Sequence, residues 1–402
     1  MFNWVTPVTL MPITTSRNSS LALVSARARR RERAAFAGWN GSDERGNVCP
    51  GTVMKPLKIV GIGGGTGLPV LLRGLRRMKE VEVSAIVSVA DNGGSSGRLR
   101  QSFAMPAVGD LRNCLVALSG NDSVLVDLFQ HRFSSGNDLE GHSLGNLIVT
   151  ALYQMSGSLQ QAIEIASQLL PLQGRALPVT ETPTTLCAAF HDGTVVHGEA
   201  EITAARGRIE RIWLEPNSPS PSPGALDAIT AADALVFGPG SLYTSILPNL
   251  LVDGVADAVE RSRAVKIFVC NLMTQPGETD GFSAADHLRI LETCLGRDAV
   301  DFCIVNTGTA PVRSSLPLEA GSTPVTCDAL QIESLGAIPV QADLLTVQGT
   351  GIRHDSMRLG SLVVNVARGA LARRDARHYP QHTTVPSSQD TWHTAEVPMR
   401  CP

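Results

Sequence analysis

Aromatic residues are scarce in this chain: four Trp, three Tyr and ten Phe among 402 positions. So thin a supply leaves few platforms on which bases stack. A net charge of −3 gives no electrostatic footprint for a phosphate backbone, so nucleic acid is not an expected partner. No stretch approaches eighteen consecutive apolar residues, so no insertion into a membrane is expected either. The eight cysteines, at 49, 114, 187, 270, 294, 303, 327 and 401, are never closer than nine positions. That spacing excludes a CxxC knuckle or redox pair. Several lie in apolar runs, as Cys270 does in KIFVC, and read as buried thiols of a protein kept in a reducing cytoplasm. What is present, 43% hydrophobic and 18% charged residues, is the composition of an ordinary globular protein. A chain of this length buries a full core without disulfides or structural metal.

The two ends differ from the middle. Residues 1–54 hold seven arginines (17, 27, 29, 30, 31, 33 and 45), no lysine and three acids, and so carry +4 against −7 for residues 55–402. The arginines follow a weakly apolar stretch instead of preceding it, which is the wrong order for a secretory signal. An organellar transit peptide is one alternative. The preferred expectation is a disordered Arg-rich arm or an over-extended start, because Met54 directly precedes the first strand signal. Residues 373–402 contain four prolines and no apolar periodicity, and a disordered tail is expected there.

Between the ends, short apolar runs alternate with segments of helical spacing. Strands are expected at 57–62 and 83–90, with helices at 68–78, 110–119, 122–131, 143–155 and 158–169. Residues 186–213 change character and read as an antiparallel β-meander with hairpin turns. The loop 215–224 ends it. Strands at 233–238, 265–270 and 300–305 then alternate with helices at 241–250 and 283–295, short runs follow near 329–333 and 343–347, and a helix from about 355 to 372 closes the domain. This alternation predicts a three-layer, Rossmann-like α/β domain over 55–372, with a mainly parallel sheet and the meander as an insertion. In such sheets ligands bind beyond the carboxyl ends of the strands.

Those ends are rich in glycine. The first strand enters Gly63-Gly64-Gly65-Thr66-Gly67 and then a helix, an arrangement in which backbone N–H groups face an anion. No GK[ST] follows, so it is not a Walker A loop. The second strand ends in Asp91-Asn92-Gly93-Gly94-Ser95-Ser96, with Arg98 and Arg100 behind it, a second nest dense in anion donors. Gly238-Pro239-Gly240-Ser241, Asn271 with its loop 272–281, and Asn306-Thr307-Gly308 stand at three later ends. Micromolar affinity requires about 8 kcal/mol, and charge-assisted hydrogen bonds contribute roughly 1.5–3 kcal/mol each. Two nests and one or two arginines therefore suffice for a diphosphate without a metal.

Gly141-His142-Ser143-Leu144-Gly145 matches the GxSxG nucleophile elbow, which would make Ser143 the nucleophile of a serine hydrolase, with a base among His191, His197, His287 and His354. The elbow needs an apolar strand upstream, but SSGNDLE (134–140) is polar, and no HGGG-type oxyanion segment exists. The alternative is a helix starting at Ser143, with His142 and Asn146 directed at the crevice.

Taken in order, GGGTG, DNGGSSGRLR, GDLRNCL, GHSLGNL, GPGSLYTSILPNLL and CNLMTQPGETDG resemble the YvcK-type gluconeogenesis factors of the CofD-like superfamily, over roughly residues 55–372. The resemblance implies a cytoplasmic bacterial protein that forms homo-oligomers and has regulatory protein partners. It also implies binding of a UDP-sugar such as UDP-N-acetylglucosamine, with a role in gluconeogenic growth and in cell shape. Carried onto this chain, phosphate-cradling positions are Gly63 to Gly67, Asn92 to Ser96, Gly240 and Ser241. Arg98, Asn113, His142 and Asn146 stand beside them, and Asn271 and Thr274 line the nucleotide side. Related CofD enzymes transfer a phospholactyl group with magnesium. If this chain were such a transferase, Asp91 would be the carboxylate for Mg²⁺ or a hydroxyl; otherwise no cofactor is called for.

Overall fold

The computed structural model describes residues 55–120, 123–309, 321–348 and 351–378. The Arg-rich segment 1–54 and the chain beyond 378 lie outside the described residues. The apolar run LKIVGIG forms β1 (Leu57–Gly63), and Pro69 opens α1 (Leu68–Leu75) at a position where its missing N–H costs nothing. Then come β2 (Val81–Val87), α2 (Gly94–Phe103), α3 (Gly109–Leu118), α4 (Val124–Gln130), α5 (Leu144–Ser156), α6 (Leu159–Leu169) and β3 (Arg175–Pro178). The insertion comprises β4 (Thr185–Phe190), β5 (Val195–His197), α7 (Glu199–Ala205) and β6 (Ile209–Glu215). The second half begins with α8 (Pro223–Ala231) and β7 (Ala234–Phe237). A π-helical turn, Leu242–Ile246, leads into α9 (Leu247–Leu250), followed by α10 (Val255–Arg261), β8 (Val265–Val269), α11 (Ala284–Leu295) and β9 (Phe302–Asn306). The last described elements are α12 (Ala329–Ser334), β10 (Ile338–Ala342), the hairpin β11 (Leu345–Gln348) and β12 (Gly351–His354), and α13 (Ser356–His378).

Seven strands make one sheet in the order β10-β9-β8-β7-β1-β2-β3, and every pairing in it is parallel. Both faces are covered, so alternate residues of each strand enter different cores. Ile59, Val83, Ala85, Val236 and Ile267 pack with α1, α3 and α13 on one side. Val60, Ile62, Ile86, Phe237 and Phe268 pack with α8, α10 and α11 on the other. This double burial explains why the strands are continuous apolar runs in place of an alternating pattern.

Four expectations need correction. The meander is a three-stranded antiparallel sheet, β5-β4-β6, but α7 interrupts it. Gly198, at φ +104°, ends β5, and EAEITAA, made largely of good helix formers, coils before β6. The second strand stops at Val87, and the supposed second nest is the beginning of α2. Part of the expected loop 215–224 is the start of α8, with Pro223 at the head of the helix. The closing helix continues past 372 because polar residues suit an exposed helix. Arg374 anchors that last stretch to the Arg263 carbonyl (2.7 Å) and the Asp301 carboxylate (3.4 Å). Strand β3 and helix α10 carry too little periodicity to be expected from sequence.

Candidate functional site

The strand order reverses between β1 and β7, and a parallel sheet opens a crevice at such a point. Here the crevice is a cleft of about 510 Å³, within the usual range for small-molecule sites. Gly65, Thr66 and Gly67 line it from the β1 end, and Gly240 and Ser241 from the β7 end. The segment after β8 contributes Asn271 to Gln275 and then Glu278. Helix α7 brings Glu199 and Thr203, and β12 brings Arg353 and His354. The two glycine turns meet at the floor, where a Cβ on Gly67 would clash with the Pro239 carbonyl oxygen and lie 2.8 Å from the Gly240 nitrogen.

Not every glycine amide in the cleft is available to a ligand. Gly65, at φ +60°, donates its N–H to Asp110 Oδ2 (2.6 Å), and Gly240 donates to Asn271 Oδ1 (3.2 Å). The Thr66 and Gly67 N–H groups have no acceptor among the described residues, and no side chain caps the start of α1. Those two amides, with the helix dipole behind them, are the anion-binding groups the turn supplies. Gly63 is behind the turn, with its carbonyl accepting from Asn249 Nδ2 (3.1 Å), and a Cβ on Gly64 would strike Asp110.

Carboxylates gather beside the amides. Burial, reinforced by the charge of Asp91, pushes the Asp110 carboxyl up to about 6, against hydrogen bonds from Gly65 and the Asn113 side chain. Burial also raises Glu199 well above its ordinary value, with Asp110 and Asp91 adding repulsion and the Thr244 hydroxyl opposing it. Glu278 accepts from the Ser241 hydroxyl and from Thr203 Oγ1, the latter at 3.3 Å. Such groups accept hydrogen bonds from ligand hydroxyls. Magnesium is commonly held by one or two carboxylates plus substrate phosphates, and a cation would relieve the repulsion among Asp91, Asp110 and Glu199, but the three do not bring their oxygens within 4.8 Å of one another and so do not form a three-carboxylate site.

The second glycine–serine turn heads α2, and its side chains bond to the protein itself. Asp91 Oδ1 accepts from the Gly93 N–H (2.8 Å), a local turn that starts α2. Asn92 grips α7, accepting from Ala200 N (2.9 Å) and donating to Glu201 (2.6 Å). Ser95 Oγ is the hub of a buried network with His142 Nδ1 (3.0 Å), Asn146 Nδ2 (3.1 Å) and the Ser143 N–H (3.3 Å). Arg112 Nε donates to Asn146 Oδ1 (3.1 Å), and Arg98 donates to the Glu140 carbonyl (2.6 Å). Asn92, Ser95, His142 and Asn146 therefore tie α2 and the turn before it to α5 and α7, Arg98 bonds the loop before α5, and none of the residues Asn92 to Ser96, Arg98, His142 and Asn146 is among those lining the cleft. Burial and the charges of Arg98 and Arg132 hold His142 below the usual histidine range.

Ser143 is buried and donates its hydroxyl to the Phe129 carbonyl (3.2 Å), while His142 is bound to Ser95. No strand precedes it, so the nucleophile-elbow geometry is absent. Thr274 lines the cleft, but its side chain is held by Thr323, whose N–H donates to it at 2.9 Å. Asn306 closes a turn with Gly308 and Leu344. Sequence reasoning missed Asp110, Glu199, Glu278 and Arg353. Asp110 and Glu278 sit inside motifs already singled out, where an acid beside a glycine turn was the available signal. Glu199 and Arg353 lie outside those motifs and had none.

Residues 59–345 match the 2-phospho-L-lactate transferase CofD family. The gluconeogenesis factor of Bacillus subtilis (strain 168) is 44% identical over 312 residues, covering 77% of this chain and 98% of that protein. That of Listeria innocua is 43% identical over 297 residues, covering 74% of this chain and 91% of its own length. A crystal structure of a protein from Bacillus halodurans, 41% identical, superposes with a TM-score of 0.74 and covers 77% of this chain and 100% of that one.

Proposed function

This chain belongs to the CofD family, and on that premise we propose that it is a gluconeogenesis factor, a cytoplasmic regulator that binds a UDP-sugar such as UDP-N-acetylglucosamine. Its role would be to support growth and cell shape on gluconeogenic carbon sources. The observation that carries the ligand class is the pairing, in one cleft, of backbone amides that have no acceptor among the described residues with carboxylate acceptors and the Arg353 guanidinium. The amides of Thr66 and Gly67 and the Arg353 guanidinium would meet the diphosphate. Glu199 and Glu278 would accept from sugar or ribose hydroxyls. The donors number enough for micromolar binding, at roughly 1.5–3 kcal/mol for each charge-assisted bond against the about 8 kcal/mol required. Isothermal titration of the purified full chain with UDP-N-acetylglucosamine tests this, and no heat at millimolar ligand would overturn it.

A second reading rests on the acid cluster: a transferase of phospholactyl type acting on a nucleotide-activated substrate. Asp91 would hold Mg²⁺ together with the substrate phosphates, and the ion's contribution would be to neutralise charge on the phosphate oxygens. The chain's own part would be to orient the diphosphate on the β1 turn and to hold an acceptor hydroxyl against a carboxylate. Magnesium-dependent consumption of the substrate, lost in Asp91→Asn while circular dichroism is unchanged, would establish it. Absence of turnover with intact binding would leave the regulator.

A further inference from the structure

The inserted sheet carries a second constellation, separate from the cleft. Cys187 is on the central strand β4, and the register sets it directly opposite His197 on β5 and Trp213 on β6. Directly paired residues share a face of a sheet, and Glu215, two positions beyond Trp213, shares it too. The opposite face is hydrophobic: Leu186, Ala188 and Leu214 enter the core. Three potential ligands of different chemistry therefore converge on the outer face.

Their atoms are close. Cys187 Sγ lies 3.2 Å from His197 Nδ1, which lies 3.3 Å from Glu215 Oε2. All three ligand atoms fall within 4.8 Å of one another, and among the described residues no other His, Cys, Asp or Glu trio does so. Tetrahedral zinc, with bonds of about 2.0–2.3 Å, holds its ligand atoms at separations of this size. The surroundings suit a metal as well. Trp213 Nε1 donates to the other carboxylate oxygen, Glu215 Oε1 (3.3 Å), and the Arg211 guanidinium lies 5.1 Å from the centre of that indole ring. Outer partners of this kind orient metal ligands. Cys187 is buried, whereas the side chains of His197 and Glu215 are 53% and 49% exposed, so an ion can enter and water can complete its shell.

We propose that Cys187, His197 and Glu215 form a zinc site in the insertion, with a fourth position taken by water. Binding transfers the thiol proton to solvent and leaves sulfur as thiolate, with His197 neutral and coordinating through Nδ1. The thiolate–imidazole–carboxylate set selects zinc over magnesium or calcium, which prefer oxygen. The ion would clip three strands together, one of them only three residues long. It would also fix His197, two residues before the cleft glutamate Glu199.

The test uses the full chain, stripped with a chelator and titrated with Zn²⁺, and separately with Co²⁺ as a spectroscopic probe. One tight equivalent is expected, together with a thiolate-to-cobalt charge-transfer band and the visible bands of tetrahedral cobalt. His197→Ala and Glu215→Gln, both at half-exposed positions, should each weaken that equivalent at least 100-fold while leaving the protein folded. Cys187→Ser should abolish the sulfur band, but its buried position makes the other two variants the decisive ones. Zinc uptake undiminished in both variants, or a cobalt spectrum without a sulfur band in the unaltered protein, would overturn the site and leave only a hydrogen-bonded trio. UDP-sugar binding plays no part in these readouts, so the site stands or falls independently of the cleft.

Discussion

Gly67 is packed face to face against Pro239: a Cβ built on it would lie 2.6 Å from the Pro239 carbonyl carbon and closer still to its oxygen. The obstacle is backbone, which cannot swing aside as a flexible side chain would. The turns that follow β1 and β7 are thereby held in contact, and the floor of the cleft exists because both are bare. Gly67→Ala should force them apart and destabilise the protein by about 3 kcal/mol, at the upper end of overpacking. Urea denaturation would show this as a lower midpoint at constant slope, with weaker UDP-sugar binding by the folded fraction. An unchanged midpoint would mean that the two turns are not in contact.

Among the described residues, Arg353 is the one arginine or lysine lining the cleft. If the ligand is a diphosphate, Arg353→Ala should reduce affinity about 10- to 100-fold, the equivalent of one charge-assisted hydrogen bond. Lysine should recover only part of this, because it lacks the planar fork. Titration at low and high salt adds a second readout, since the variant should lose part of the salt dependence. Equal affinity in the alanine variant would place the phosphates elsewhere.

The place of the glycine turn after β1 in the cleft wall was legible because the backbone conformation there depends on which residues lack a side chain. Gly240 was legible for the same reason, whereas Ser241 acts through its hydroxyl, which bonds Glu278 and accepts from the Thr244 N–H. The internal bonds of the turn after β2 were not legible, because glycine and serine also begin helices: Asp91 and the Gly93 N–H close a local turn, and Ser95 faces inward to α5. Glu199 could not be foreseen. It reaches the cleft only because α7 interrupts the inserted sheet and Asn92 holds that helix by its Ala200 N–H. Arg353 is likewise delivered by a hairpin whose strands are four residues each, too short for a periodic signal.

Ser143 offers a cleaner negative. Its hydroxyl donates to a backbone carbonyl and is shielded from solvent. A fluorophosphonate probe should leave the native chain unlabelled, and Ser143→Ala should bind ligand normally. The cost of that substitution should be about 1 kcal/mol, the value of one buried hydrogen bond. Stoichiometric labelling at Ser143 would reinstate the hydrolase.

His354 gives stability a pH dependence that can be isolated. It is buried at the end of β12, bonds to the Cys270 carbonyl, and has no partner for Nε2. Burial pulls its pKa down from 6.5 to about 4. Above pH 6.5 the ring is neutral in folded and unfolded chains alike, and its contribution to stability is complete. As pH falls from 6.5 towards 4, the unfolded chain takes up a proton that the folded chain refuses, so stability declines. By pH 4 the loss approaches about 3 kcal/mol, and below that both states are protonated and the decline ends. Carboxylates titrate in the lower part of this window too, so the informative quantity is a difference. The unfolding free energy of the native chain minus that of His354→Gln should fall by one proton's worth of slope between pH 6.5 and 4. If the two curves run parallel across that interval, His354 is either exposed or already charged in the folded protein.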